Sequence, residues 1–116
     1  MGTNVVCLFW DKSVPGREAI SAQHFQEYAQ YLGGLQAQGK IDSFEAVLLD
    51  PHGGGLGGFY LIRGEPAKLD AVMGTDEWQT HQSRGSIHLQ GQGIVRGVTG
   101  NMLMQRMAGW ASMLPK

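Results

Sequence analysis

A chain of 116 residues has the length of one domain, taken here as residues 1–116, and 42% hydrophobic against 16% charged residues describe a globular protein with a core. Nine Lys and Arg against ten Asp and Glu leave a net charge of −1, and no two basic residues are adjacent. The electrostatic footprint of a nucleic-acid binder is therefore missing. So few charges also leave part of the outside apolar, which points to a partner surface.

Cys7 is the single cysteine, so neither an internal disulfide nor a cysteine-based zinc site can form. Its apolar surroundings, Val5 to Phe9, predict an inert core thiol. No stretch approaches the roughly 20 apolar residues of a membrane span, and no membrane partner is expected. The N-terminus lacks a basic region and a cleavage pattern, so the expected location is the cytoplasm.

In chain order, Asn4 to Trp10 reads as a central strand and Asp11 to Gly16 as a loop shaped by Pro15 and Gly16. Arg17 to Gln38 reads as a helix, because Phe25, Tyr28, Ala29, Leu32 and Leu35 recur at steps of three and four and form one apolar stripe. Gly39 suits its C-terminal cap. Two runs of branched and aromatic residues follow, Phe44 to Leu49 and Phe59 to Arg63, and the turn formers around them mark a hairpin. Their connection, Asp50 to Gly58, is glycine-rich and longer than the usual two to five residues or so.

Pro66 suits a first helical position, giving a short helix to Met73 with Leu69, Val72 and Met73 inward. Thr75 can cap a second helix whose first turn holds Asp76 and Glu77, where the helix dipole favours carboxylates. That helix carries Trp78, His81, Gln82 and Gly85, up to His88. A fourth strand is placed at Gln92 to Val98. A last helix, Asn101 to Leu114, sets Leu103, Met107, Trp110 and Leu114 on one face.

The order β-α-β-β-α-β with a C-terminal helix predicts an α+β fold of the ferredoxin-like, split βαβ kind. Such a fold has a four-stranded antiparallel sheet with helices on one face. Alternation along the hairpin puts Phe44, Ala46 and Leu48 on one side and Val47 and Leu49 on the other, so both faces are apolar and the uncovered one needs a lid. With this element order, the Phe44-to-Gly54 segment, the Phe59-to-Gly64 strand and Asp76-Glu77-Trp78 opening a helix, the chain resembles the dimeric α+β barrel superfamily. It is similar in particular to small uncharacterised YCII-related proteins. The resemblance implies a homodimer through the open sheet face and a pocket between sheet and helices in each subunit. It fixes no chemistry, because that superfamily holds monooxygenases, isomerases, haem enzymes and non-catalytic sensors.

The candidate catalytic residues are His24 and His81, since imidazole titrates near neutral pH and serves as acid, base or metal ligand. Candidate ligand-binding residues are Tyr28, His52, Arg63 and Trp78. His24 and Tyr28 lie one turn apart on one helix and Trp78 and His81 on another, so the two pairs are expected to converge. His52 belongs either to a plain hairpin tip or to a flap that closes over the pocket. Arg63 either reaches an anionic ligand or pairs with Glu45 or Asp50. No His-Glu-x-x-His spacing is present, and neither a metal nor any other cofactor is expected. Two readings compete: a small-molecule pocket protein, as far as a cofactor-independent enzyme, and a non-catalytic homodimeric sensor or accessory module. A third follows from the resemblance alone. Haem-degrading monooxygenases of that superfamily place an Asn on the first strand and a Trp and a His on the second helix, for which Asn4, Trp78 and His88 are the formal counterparts.

Overall fold

The structure is a computed structural model that describes residues 2–115. Its elements are β1 (Val5–Trp10), β2 (Lys12–Ser13), α1 (Glu18–Ala37), β3 (Ser43–Leu48), β4 (Gly58–Arg63), α2 (Pro66–Met73), α3 (Asp76–His88), β5 (Leu89–Gln90), β6 (Gly93–Gly97) and α4 (Asn101–Ser112). This is an α+β chain with a four-stranded sheet in the order β3-β4-β1-β6, antiparallel at every pairing.

Register decides which side chains meet the helices. Val6 lies opposite Ile62 and Leu8 opposite Tyr60, and the pleat sends all four to one face. There they join Tyr28, Leu32 and Leu35 of α1, Leu69 and Val72 of α2, and Trp78 of α3 in a single buried core. Pro66 sits in the first turn of α2, and the Thr75 side chain accepts a hydrogen bond from the Trp78 amide to cap α3. The other face of the sheet carries Val5, Cys7, Phe9, Val47, Phe59 and Leu61, all half-buried, and Val95, which is exposed. Cys7 therefore sits on the open face rather than in the core.

One feature departs from the sequence reading. The segment after β1 is not simply a loop: Lys12 and Ser13 pair with Gln90 and Leu89 in a small ribbon of their own. The ribbon is anchored by the Asp11 amide donating to the Gln90 carbonyl and the Val14 amide to that of His88 (both 2.8 Å). Two-residue strands carry no periodicity, so residue patterning cannot reveal them. Helix α4 forms where the periodicity placed it but buries none of its residues. Met104, Met107, Trp110 and Leu114 are all more than half exposed. The radius of gyration is 16.2 Å, against roughly 13 Å for a compact chain of this size, and the extents are 57 × 38 × 19 Å. Among the described residues no helix is long and apolar enough to cross a membrane.

Candidate functional site

Helix periodicity assembles the site. Ser21, His24 and Tyr28 follow one another at steps of three and four on α1, and Trp78, His81, Gly85 and His88 do the same on α3. The two helices lie side by side on the sheet, so the stripes face each other. His24 enters between His81 and His88: its Nδ1 is 2.8 Å from His88 Nε2, and its Nε2 is 3.0 Å from His81 Nδ1. The chain continues beyond His88, whose Nδ1 is 2.7 Å from Ser21 Oγ; that oxygen is 2.7 Å from Ser13 Oγ. Ser13 is within reach because the β2–β5 ribbon holds it beside the end of α3. Aromatic packing fixes the far end, with the His81 ring stacked between His24 (5.3 Å between centroids) and Tyr31 (4.6 Å).

Burial sets the protonation state. It holds His24 well below the usual imidazole value, at about 4, with the Arg84 guanidinium pushing the same way. His81 and His88 are lowered too, first by burial and then by Arg84. Arg84 is itself ion-paired with Glu27 on α1. The three rings are thus neutral at neutral pH, each with one N–H donor and one acceptor nitrogen. The middle ring spends its two nitrogens on different neighbours, so the imidazoles form a line and do not converge around an ion. Among the described residues no group of three His, Cys, Asp or Glu is placed to hold a metal.

This line is one wall of a cavity of about 430 Å³ that opens between α1, α3 and the sheet. Leu8, Trp10, Phe25, Tyr60 and Leu89 supply apolar surface, and Glu18 is the one acidic or basic side chain among the lining residues other than the histidines. The Tyr60 hydroxyl is satisfied, donating to the Phe25 carbonyl at 2.8 Å. Two polar atoms of the lining are not. The Tyr28 hydroxyl and Gln92 Oε1 are buried without a hydrogen-bond partner among the described residues. Gln92 donates through Nε2 to the Gln82 carbonyl and lies against Gly85, where a Cβ would come within 2.6 Å of its Oε1.

Of the six residues singled out from sequence, the structure brings His24, Tyr28 and His81 together on this cavity. The other three are elsewhere. Trp78 is buried in the core against Tyr28 and does not line the cavity, because its indole fills the space under α3. His52 is exposed in the glycine loop and is occupied by that loop, its Nε2 bonding the Leu56 carbonyl at 2.8 Å and its Nδ1 accepting from the Gly54 amide. Arg63 lies on the open sheet face and pairs with Glu45 at 3.0 Å. The three residues that matched the haem pattern are also apart: the Asn4 side chain is held by both backbone groups of Thr99, away from the cavity lined by His88.

Sequence reasoning missed Ser13, Ser21 and Gln92 and gave His88 no role beside His24. Two of these had a signal, since Ser21 is three residues before His24 and His88 seven after His81, both on the same helix faces. Ser13 and Gln92 had none, because the short ribbon places them. Comparison with protein families, curated proteins and solved structures finds no match to this chain.

Proposed function

We propose that this protein binds an uncharged, largely apolar small molecule between α1, α3 and the sheet, and that its histidines serve that molecule as acid and base without a cofactor. The observation that carries the reading is the hydrogen-bonded line Ser21–His88–His24–His81 bordering a cavity of about 430 Å³. That volume lies in the range of small-molecule sites, roughly 300–1,000 Å³. A wall of neutral imidazoles facing apolar surface, with no Lys or Arg in the lining, suits a molecule without an anionic group. The orphaned Tyr28 hydroxyl and Gln92 carbonyl would give such a ligand one donor and one acceptor.

The frame proposed for this site is ferredoxin-like, with the open sheet faces of two copies closed on each other as a dimeric α+β barrel. Support comes from the apolar row Val5, Cys7, Phe9, Phe59, Leu61 and Val95 on the face away from the buried core, where the first five are half-buried and Val95 is exposed.

The test is a fragment screen followed by NMR on labelled protein, with uncharged aromatic and carboxylate fragments in equal number. Shifts confined to Tyr28, His81 and Gln92 on adding uncharged fragments are expected. Preferential binding of carboxylates, or binding elsewhere, would overturn the reading.

A further inference from the structure

The line of side chains has a property that no single histidine has. A neutral imidazole donates from one nitrogen and accepts at the other, so three in a row must all point the same way. In one polarity His81 Nδ1–H donates to His24, His24 Nδ1–H to His88, and His88 Nδ1–H to Ser21. In the other, Ser21 donates to His88 Nδ1, and the Nε2–H groups of His88 and His24 donate toward His81. The contacts of 2.7, 2.8 and 3.0 Å serve both polarities equally. Moving one proton along each bond converts one into the other, with no ring rotating and no charge left in the buried middle. Both ends border the same cavity: His81 at one, Ser21 and Ser13 at the other.

From this geometry we infer that the line is a proton relay whose two ends act on one molecule, and that the protein isomerises an uncharged enolisable carbonyl compound. The inference rests on the cavity being a ligand site. In the first polarity the free Nε2 lone pair of His81 removes a proton from carbon. Protons shift along His81, His24 and His88, and Ser21, directly or through Ser13, gives its hydroxyl proton to the carbonyl oxygen. The carbon–hydrogen electron pair becomes the carbon–carbon double bond of the enol, and the carbonyl π pair becomes the new O–H bond. The relay now has the opposite polarity, with a proton on His81 Nε2. Returning the enol proton through Ser21 while His81 protonates, on the same face, the far carbon of a conjugated enol gives the isomer and restores the relay; return to the original carbon gives exchange alone. Atoms and electrons balance, and no oxidant, reductant or metal enters. His81 and Ser21 are the catalytic residues; His24 and His88 act through them.

The probes are β-tetralone and cyclohexanone, uncharged ketones with exchangeable α-protons. Proton NMR in D2O follows α-proton exchange, and ligand-induced shifts report binding. Wild-type protein is expected to bind a probe and accelerate its exchange about 100-fold or more over buffer, the usual scale of general acid–base catalysis. His24→Gln keeps a donor and an acceptor in the middle of the line but cannot pass a proton. It should still bind the probe, shown by shifts at Tyr28 and Gln92, and lose the acceleration. Ser21→Ala, made where α1 is only half-buried, interrupts the other end and gives a second reading should His24→Gln not fold. Binding without accelerated exchange, or full acceleration in both variants, overturns the relay and leaves the pocket reading standing. Failure of both ketones to bind the cavity of the folded wild-type protein overturns the pocket reading, and the relay with it.

Discussion

His24 and His88 meet nitrogen to nitrogen at 2.8 Å, in the buried space between the first long helix and the third. One must donate and the other accept, and His81, on the opposite nitrogen of His24, is bound by the same rule. An added proton would set N–H against N–H in a place with little water to relieve it.

Acid stability follows from that contact. The His24 value is about 4 in the folded chain and about 6.5 when unfolded. Between those values the unfolded chain binds more protons, so folding stability should fall as the pH drops from about 6.5 toward 4 and level off below it for this group. The unscreened shift corresponds to about 3 kcal/mol as an upper bound, and solvent screening of a group that is only partly enclosed brings the effect for His24 to about 1–2 kcal/mol. His81 and His88 shift in the same direction and add to it; Arg84 strengthens the effect, and Glu27 opposes it at His24 and His81. Urea unfolding across that window measures it. His24→Gln should flatten the slope, whereas parallel wild-type and variant profiles would contradict the assignment.

Tyr28→Phe removes a buried hydroxyl that has no partner among the described residues. Leaving such a group unsatisfied costs about 1–3 kcal/mol, so the variant should be no less stable than wild type and up to about 1 kcal/mol more stable. Ligand affinity should move the other way, by about tenfold for a lost neutral hydrogen bond. Thermal melts with and without ligand separate the two effects.

Glycines 57 and 85 both lie in crowded places, yet alanine should be tolerated at only one. A Cβ at Gly57 would stand 2.0 Å from the Asp11 carbonyl oxygen, which is backbone at the end of a central strand. Gly57→Ala should therefore cost 2 kcal/mol or more, on the scale of overpacking. At Gly85 the obstacle is the Gln92 amide, the far end of a flexible side chain, and a helical Gly-to-Ala change returns about 1 kcal/mol. Gly85→Ala should stay within about 1 kcal/mol of wild type while displacing Gln92 from the cavity and altering ligand affinity. Chemical denaturation of both variants makes the comparison.

For the proposed dimer, Phe59→Glu puts a carboxylate into the apolar row of the open sheet face. Light scattering at micromolar concentration should give a dimer for wild type and a monomer for the variant. A wild-type monomer would sink the assembly.

Residue patterning revealed most elements because their periods are long. Thirteen residues carrying Trp78, His81, Gly85 and His88 at helical steps leave little choice of structure. The convergence of His24 with His81 was legible for the same reason, as two faces of two helices packed on one sheet. Trp78 shared that face but was drawn into the core, because an indole contributes more by burial than by lining a wet cavity. Arg63 and His52 found partners nearby, across the hairpin and within a five-residue turn, before any ligand could claim them. The serine end of the line was hidden, since it depends on a ribbon two residues long.

The C-terminal helix carries a consequence of its own. Twelve residues with no buried side chain sit at the lower limit of what holds a helix in water, where isolated segments of about 12–15 residues are marginal. A methionine- and tryptophan-bearing segment of this kind should wind more fully when a partner covers its apolar side. Its winding then reports on assembly: far-ultraviolet dichroism and Trp110 emission should rise and fall with protein concentration, while the sheet and its cavity remain folded throughout.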